Sequence, residues 1–161
     1  MNSLSSIPLD AFAEAAQAYC SWCEGHPLDM EKEASLAALL ARLYAAALTL
    51  PEVGPENEEG LPELPEAALA SAKTNLSYFN GWYYREFFNP DPTLDDEAGM
   101  GDVGDDVLDI YRDVKAGCLL YERGETADAL WHWSFLNRFH WGRHAVGALF
   151  ALHCLCIMKR V

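Results

Sequence analysis

Apolar positions recur at helical spacing in five places along the chain. The first predicted helix runs from about Asp10 to Glu24. Phe12, Ala15, Ala16, Tyr19 and Trp22 form its stripe, and Asp10, just after Pro8, can cap its start. Gly25, His26 and Pro27 end it. The second spans about Met30 to Leu50, with Asp29 as cap and Leu36, Leu39, Leu40, Leu43 and Ala47 as its buried face. Glu31 and Glu33 fall in its first turn, where the helix dipole favours acids. The third begins near Pro65 and continues towards Phe88. Leu69, Leu76, Phe79 and Tyr83 lie on one side, and Gly81 can weaken or bend it. The fourth, from about Asp105 to Arg123, carries Val107, Ile110, Tyr111, Val114, Cys118 and Tyr121, and Gly124 closes it. The last is the longest, from about Thr126 to Lys159, with Gly142 and Gly147 as bend points.

Two acidic loops separate these helices. Pro51 to Pro65 is rich in Glu, Pro and Gly, has no basic residue, and reads as exposed and mobile. Asn89 to Gly104 is the second. No stretch alternates as a strand bounded by turn signals does. The expected fold is all-α: an irregular antiparallel bundle of about five helices with two acidic loops, in one domain over residues 1–161.

Composition narrows the setting. A chain of 161 residues, 51% of them apolar, can build one substantial core. The apolar run from Ala145 to Met158 is shorter than the ~20 residues of a spanning helix, and His153 interrupts it; it reads as a buried core helix. Met1 to Asp10 has neither the basic nor the apolar region of a signal peptide. Five cysteines cannot all pair, which suits thiols in a reducing cytosol and predicts a cytoplasmic protein.

The net charge of −14 argues against nucleic acid and anionic membrane partners, which need Lys and Arg, and favours a basic protein partner. The charge is uneven. Glu52 to Glu63 holds five acids and Asp91 to Asp113 nine, fourteen of the twenty-five in all, against the single base Arg112. These acids lie beside aromatic residues, an arrangement suited to a docking surface.

Asp105-Asp106-Val107-Leu108-Asp109-Ile110-Tyr111-Arg112-Asp113, then Gly117 and Tyr121, then Trp131-His132-Trp133-Ser134-Phe135 and His140-Trp141-Gly142-Arg143-His144 make a distinctive series. It resembles a family of bacterial helical proteins known as domain-of-unknown-function family 5063. The resemblance is sharpest from about Gly104 to His153. It implies a small intracellular helical protein and brings no catalytic residue with it.

The residues with most chemistry are His132, His140 and His144, with Asp105, Asp109 and Asp113 at i, i+4, i+8 on the preceding helix. Two readings stay open. His140 and His144 can hold a zinc or iron ion with Asp105 or Asp109. Alternatively, they hydrogen-bond those aspartates and pin two helices, with Arg112, Arg138 and Arg143 joining the network. The Glu-x-x-His and His-Glu-x-x-His motifs are absent. Cys20-Ser21-Trp22-Cys23 is one isolated C-x-x-C and reads as buried thiols, as do Cys154 and Cys156. Asp91 to Glu97 lacks the glycine of a calcium loop. No nucleophile elbow or phosphate-binding loop occurs, so neither catalytic residues nor a cofactor are assigned.

The expected function is therefore a non-enzymatic acidic binding protein that sequesters a basic protein, in its most specific form an immunity-type inhibitor of a toxin. Its candidate contact residues are Glu58, Glu59, Tyr84, Phe88, Asp95, Asp96, Asp102, Asp105 and Asp106. The alternative is a metal-binding helical protein or metal-dependent enzyme using His140 and His144 with Asp105 or Asp109. A homodimer through the aromatic surface is a further option.

Overall fold

The apolar stripe from Val107 to Leu120 becomes the axis of the fold. The computed structural model describes residues 6–25, 31–57 and 60–157. The proposed cap Asp29 and the acidic pair Glu58 and Glu59 lie outside them. Among the described residues the chain forms α1 (Ser6–Cys23), α2 (Lys32–Ala47) and α3 (Glu66–Leu76), the last extended by a 3₁₀ turn at Ser77–Phe79. Then come β1 (Tyr83–Glu86), β2 (Gly99–Asp102), α4 (Val103–Glu122), α5 (Thr126–Phe139) and α6 (Trp141–Leu152), with a π-helical turn at His153–Ile157. The protein is predominantly helical with one small sheet. None of its described helices is long and apolar enough to cross a membrane.

α4 packs against α1, α5 and α6, and α2 packs against α1 and α6. Val107, Ile110, Tyr111, Val114 and Cys118 are buried, as their spacing predicts. The core around them is aromatic. Phe12 lies 4.8 Å from Trp133 and 6.1 Å from Trp141, centroid to centroid. Each polar handle in this core has a partner. Tyr19 Oη donates to the Val107 carbonyl at 2.7 Å, Trp133 Nε1 to Val114 at 3.0 Å, and Trp141 Nε1 to the Trp133 carbonyl at 3.2 Å. These bonds let large amphipathic rings be buried without an unpaired donor.

Five expectations need correction. α1 begins at Ser6, so Asp10 is inside the helix and not its cap; its carboxylate faces the Tyr121 hydroxyl at 3.4 Å. The third helix stops before Asn80. Gly81 adopts φ +79°, which reverses the chain, and residues 83–86 continue as a strand with Tyr84 and Glu86 turned inward. That strand pairs antiparallel with β2, Tyr83 opposite Asp102 and Glu86 opposite Gly99, where a loop alone is predicted.

The long last helix is two helices. The chain breaks at His140, whose φ of −145° and ψ of −87° are not helical. Gly142 makes the turn possible: a Cβ there would lie 2.0 Å from the Asn137 carbonyl oxygen. Finally, the 51–65 segment is exposed but tethered. Asp128 accepts hydrogen bonds from the backbone of Glu56 (2.8 Å) and Asn57 (3.0 Å) and from Asn57 Nδ2 (2.6 Å), and Arg138 pairs with Glu52. The two backbone amides and the Asn57 side chain hold the Asp128 carboxyl below its usual pKa.

The C-x-x-C pair lies in the core. Cys20 and Cys23 are buried in α1, and burial pushes both thiols well above their ordinary range, away from the thiolate that metal or redox chemistry requires.

Two predictions test this packing. A Cβ on Gly117 would lie 2.1 Å from Trp133 Nε1, inside the core. Gly117→Ala is expected to lower stability by about 1–3 kcal/mol despite the better helix propensity of alanine. Gly54→Ala, facing open space, should change it by less than about 0.5 kcal/mol. Urea denaturation compares the two, and equal midpoints would refute the Trp133 placement. The second concerns His132, which is buried beside the Asp113 carbonyl at 3.1 Å and whose pKa is lowered by burial. Its folded pKa lies below the unfolded one, so its neutral form contributes fully above the unfolded pKa and that stability is lost as pH falls. Relative to His132→Gln, the wild type should lose stability on acidification below about pH 6.5, by at most about 1.4 kcal/mol per pH unit. A parallel pH profile for the two proteins would remove His132 as the cause.

Candidate functional site

Asp106, Asp109 and Asp113 sit at i, i+3, i+7 and share one face of α4. That face meets α6 and β1. Asp106 is only 5% exposed, and its carboxylate joins three elements. It accepts the Tyr84 hydroxyl from β1 at 2.6 Å on Oδ2, and Nδ1 of His144 from α6 lies 2.7 Å from Oδ1. Tyr84 reaches it by passing between two glycines. A Cβ on Gly101 of β2 would meet its ring at 2.4 Å, and one on Gly147 of α6 would meet its hydroxyl at 2.4 Å.

The second imidazole repeats the pattern. Nδ1 of His140 lies 2.5 Å from Oδ2 of Asp113. The two rings meet edge to face, with centroids 4.9 Å apart. Both carry a carboxylate on Nδ1. Asp109 lies between the two supporting aspartates in sequence, and one of its oxygens and one ring nitrogen from each histidine all fall within 4.8 Å of one another. Asp109 also pairs with Arg112 at 2.9 Å through Oδ1.

The electrostatics follow from these contacts. The Asp106 hydrogen bond raises the His144 pKa, against the opposing effect of burial. A protonated His144 neutralises the buried carboxylate, which would otherwise be costly. Burial, and then the Asp106 contact, push the Tyr84 hydroxyl far above its ordinary pKa, so it remains a donor.

A hydrogen-bonded network between two helices is thus present, with different acids from those expected. His144 takes Asp106 and His140 takes Asp113, while Asp105 is exposed in the first turn of α4. Arg138 and Arg143 pair elsewhere, with Glu52 and Glu86.

Beside this cluster lies an open cleft of about 950 Å³. One wall is the 87–98 connection between the strands; the other is α6. Phe87, Phe88, Leu94, Val146 and Phe150 give it an apolar lining, with Glu86, Asp91 and Asp96 among its acids. The Arg143 guanidinium lies 4.1 Å from the centre of the Phe88 ring. A smaller cavity of about 220 Å³ is lined by Glu86, Phe88, Phe139, His140, Arg143 and His144. It shares three residues with the cleft and so connects it to the histidines.

The candidate contact residues separate into groups. Tyr84, Phe88 and Asp96 line the cleft, and Asp95 is exposed on the same connection. Asp102 is the N-cap of α4: Oδ1 accepts from Gly104 N at 2.8 Å and Oδ2 from Gly81 N at 2.9 Å. Asp106 is turned inward, Asp105 outward, and Glu58 and Glu59 lie outside the described residues. Val146 and Phe150 escape the sequence reading, which places the whole 145–158 run in the core. They are 50% and 62% exposed. Their i, i+4 spacing, offset from Ala145, Ala148 and Leu152, is the signal for a second apolar face.

The fold has a relative of known structure. Protein BF1032 from Bacteroides fragilis superposes with a TM-score of 0.71 over 92% of both chains, at 18% identity, and so shares the fold. No curated protein matches the chain. The model of the family described as a domain of unknown function, DUF5063, matches residues 6–157, and the chain belongs to that family.

Proposed function

We propose that this protein is a non-catalytic binding protein that captures a basic protein partner in the cleft between the 87–98 connection and α6. The observation that carries the reading is the cleft itself. Exposed Phe87, Phe88, Leu94, Val146 and Phe150 gather in one place on a chain whose net charge is −14. Isolated exposed apolar residues are ordinary, whereas a contiguous set marks an interaction surface. Apolar walls with Asp91 and Asp96 on them, and Asp95 beside, suit an apolar anchor flanked by lysine or arginine. In the most specific version the partner is a toxin, and the protein acts in the cytosol as its immunity-type inhibitor.

Affinity capture from the native cells at low salt should recover one stoichiometric basic partner. Phe88→Ala combined with Phe150→Ala should weaken that complex at least about tenfold, mainly through faster dissociation. Asp95→Asn with Asp96→Asn should slow association and flatten its salt dependence. Asp102 is left intact because its cap holds α4. Surface plasmon resonance with the recovered partner measures both effects. Absence of a basic partner, or binding indifferent to both double variants, would refute the proposal.

A further inference from the structure

We infer that His140, His144 and Asp109 form a binding site for one divalent first-row transition metal, opening on the 220 Å³ cavity at the edge of the cleft. Three features support it. First, two imidazoles and a carboxylate converge within 4.8 Å. Two nitrogens and one oxygen are a donor set for zinc or iron(II). Metal–nitrogen bonds of about 2.0–2.1 Å require the donors to draw in by roughly an ångström, and His140 and Asp109 are exposed enough to do so.

Second, each histidine already has the outer contact that a ligating histidine uses. Asp113 holds Nδ1 of His140 and Asp106 holds Nδ1 of His144. That fixes both rings and leaves Nε2 of each for a metal. A purely structural network would need only these two pairs. The approach of Asp109 to both rings is additional to it.

Third, the acidic surroundings suit a cation. Asp106, Asp109 and Asp113 stand on one face of α4, with Arg112 paired to Asp109 alone. A carboxylate has two oxygens, so the Arg112 contact at Oδ1 and a metal bond at the other oxygen are compatible. Arg143, which lines the same cavity, is engaged by Phe88 and Glu86. When the metal binds neutral imidazoles, any proton on His144 leaves to solvent and the dication replaces its charge beside Asp106. Three protein ligands leave at least one coordination position for water on the cavity side.

The test uses untagged full-length protein, stripped with a chelator and titrated with Zn(II) by calorimetry and with Co(II) by visible absorption. One equivalent of each should bind, with Co(II) giving the d–d bands of a nitrogen- and oxygen-ligated ion. His140→Ala and Asp109→Asn should each abolish saturable uptake. Asp113→Asn, which alters only the outer contact, should weaken it about 10–100-fold. Circular dichroism melts confirm that the variants fold; a variant that does not is replaced by His140→Gln or Asp109→Ser. Two results overturn the inference: no one-equivalent uptake by the wild type, or uptake unchanged in the His140 and Asp109 variants.

Discussion

The Asp106 carboxylate is the constraint on which this arrangement depends. It is buried on α4, and it joins β1 through Tyr84 and α6 through His144. A charge in that position is tolerable only when every partner is in place, so its contacts fix how the strand pair and α6 sit against α4. Both walls of the cleft start from those two elements. Losing either contact would leave a buried charge underpaired and release one wall. The local glycines serve the same end, because side chains at Gly101 or Gly147 would occupy the path of Tyr84.

Much of the helical architecture is legible from apolar spacing because burial is one-sided on most elements. The stripes through Phe12 and Tyr19, Leu36 to Leu43, and Val107 to Val114 are all buried. What spacing does not reveal is interruption. Tyr83 to Glu86 carries aromatic residues that suit a helix face and a strand equally, and only the positive φ of Gly81 decides between them. The break at His140 is hidden similarly, since both sides are good helix and the cause is a close approach of Gly142 to Asn137. Such local backbone geometry leaves no periodic trace.

The candidate site was legible as a set of residue types and less so as a set of pairs. His140, His144 and the α4 acids stand out by spacing alone. Choosing among Asp105, Asp106, Asp109 and Asp113 requires the rotation of α4. An i, i+4, i+8 series drifts around a helix with 3.6 residues per turn, whereas i, i+3, i+7 stays closer to one line. Asp105 accordingly turns to solvent and Asp106 inward. The cleft was half legible. Its acidic, aromatic wall is conspicuous in sequence, but the opposing wall belongs to an apolar helix whose second face reads as core.

The strand pair gives the two neighbouring regions different mechanical characters. The 87–98 wall is a hairpin tip clamped at its base, where Glu86 faces Gly99, with the Arg143–Phe88 contact joining it to α6. Its own bonds are short-range turns at Asn89, Asp91 and Thr93, and residues 87–97 are all exposed. An exposed segment held by short-range bonds has the character of one that opens locally at lower free energy than a packed core. The histidines stand on the opposite kind of support, at a junction of packed helices. A compliant lip thus borders a firmer floor: the lip can adapt to an occupant's shape while the helices that carry the histidines stay in place.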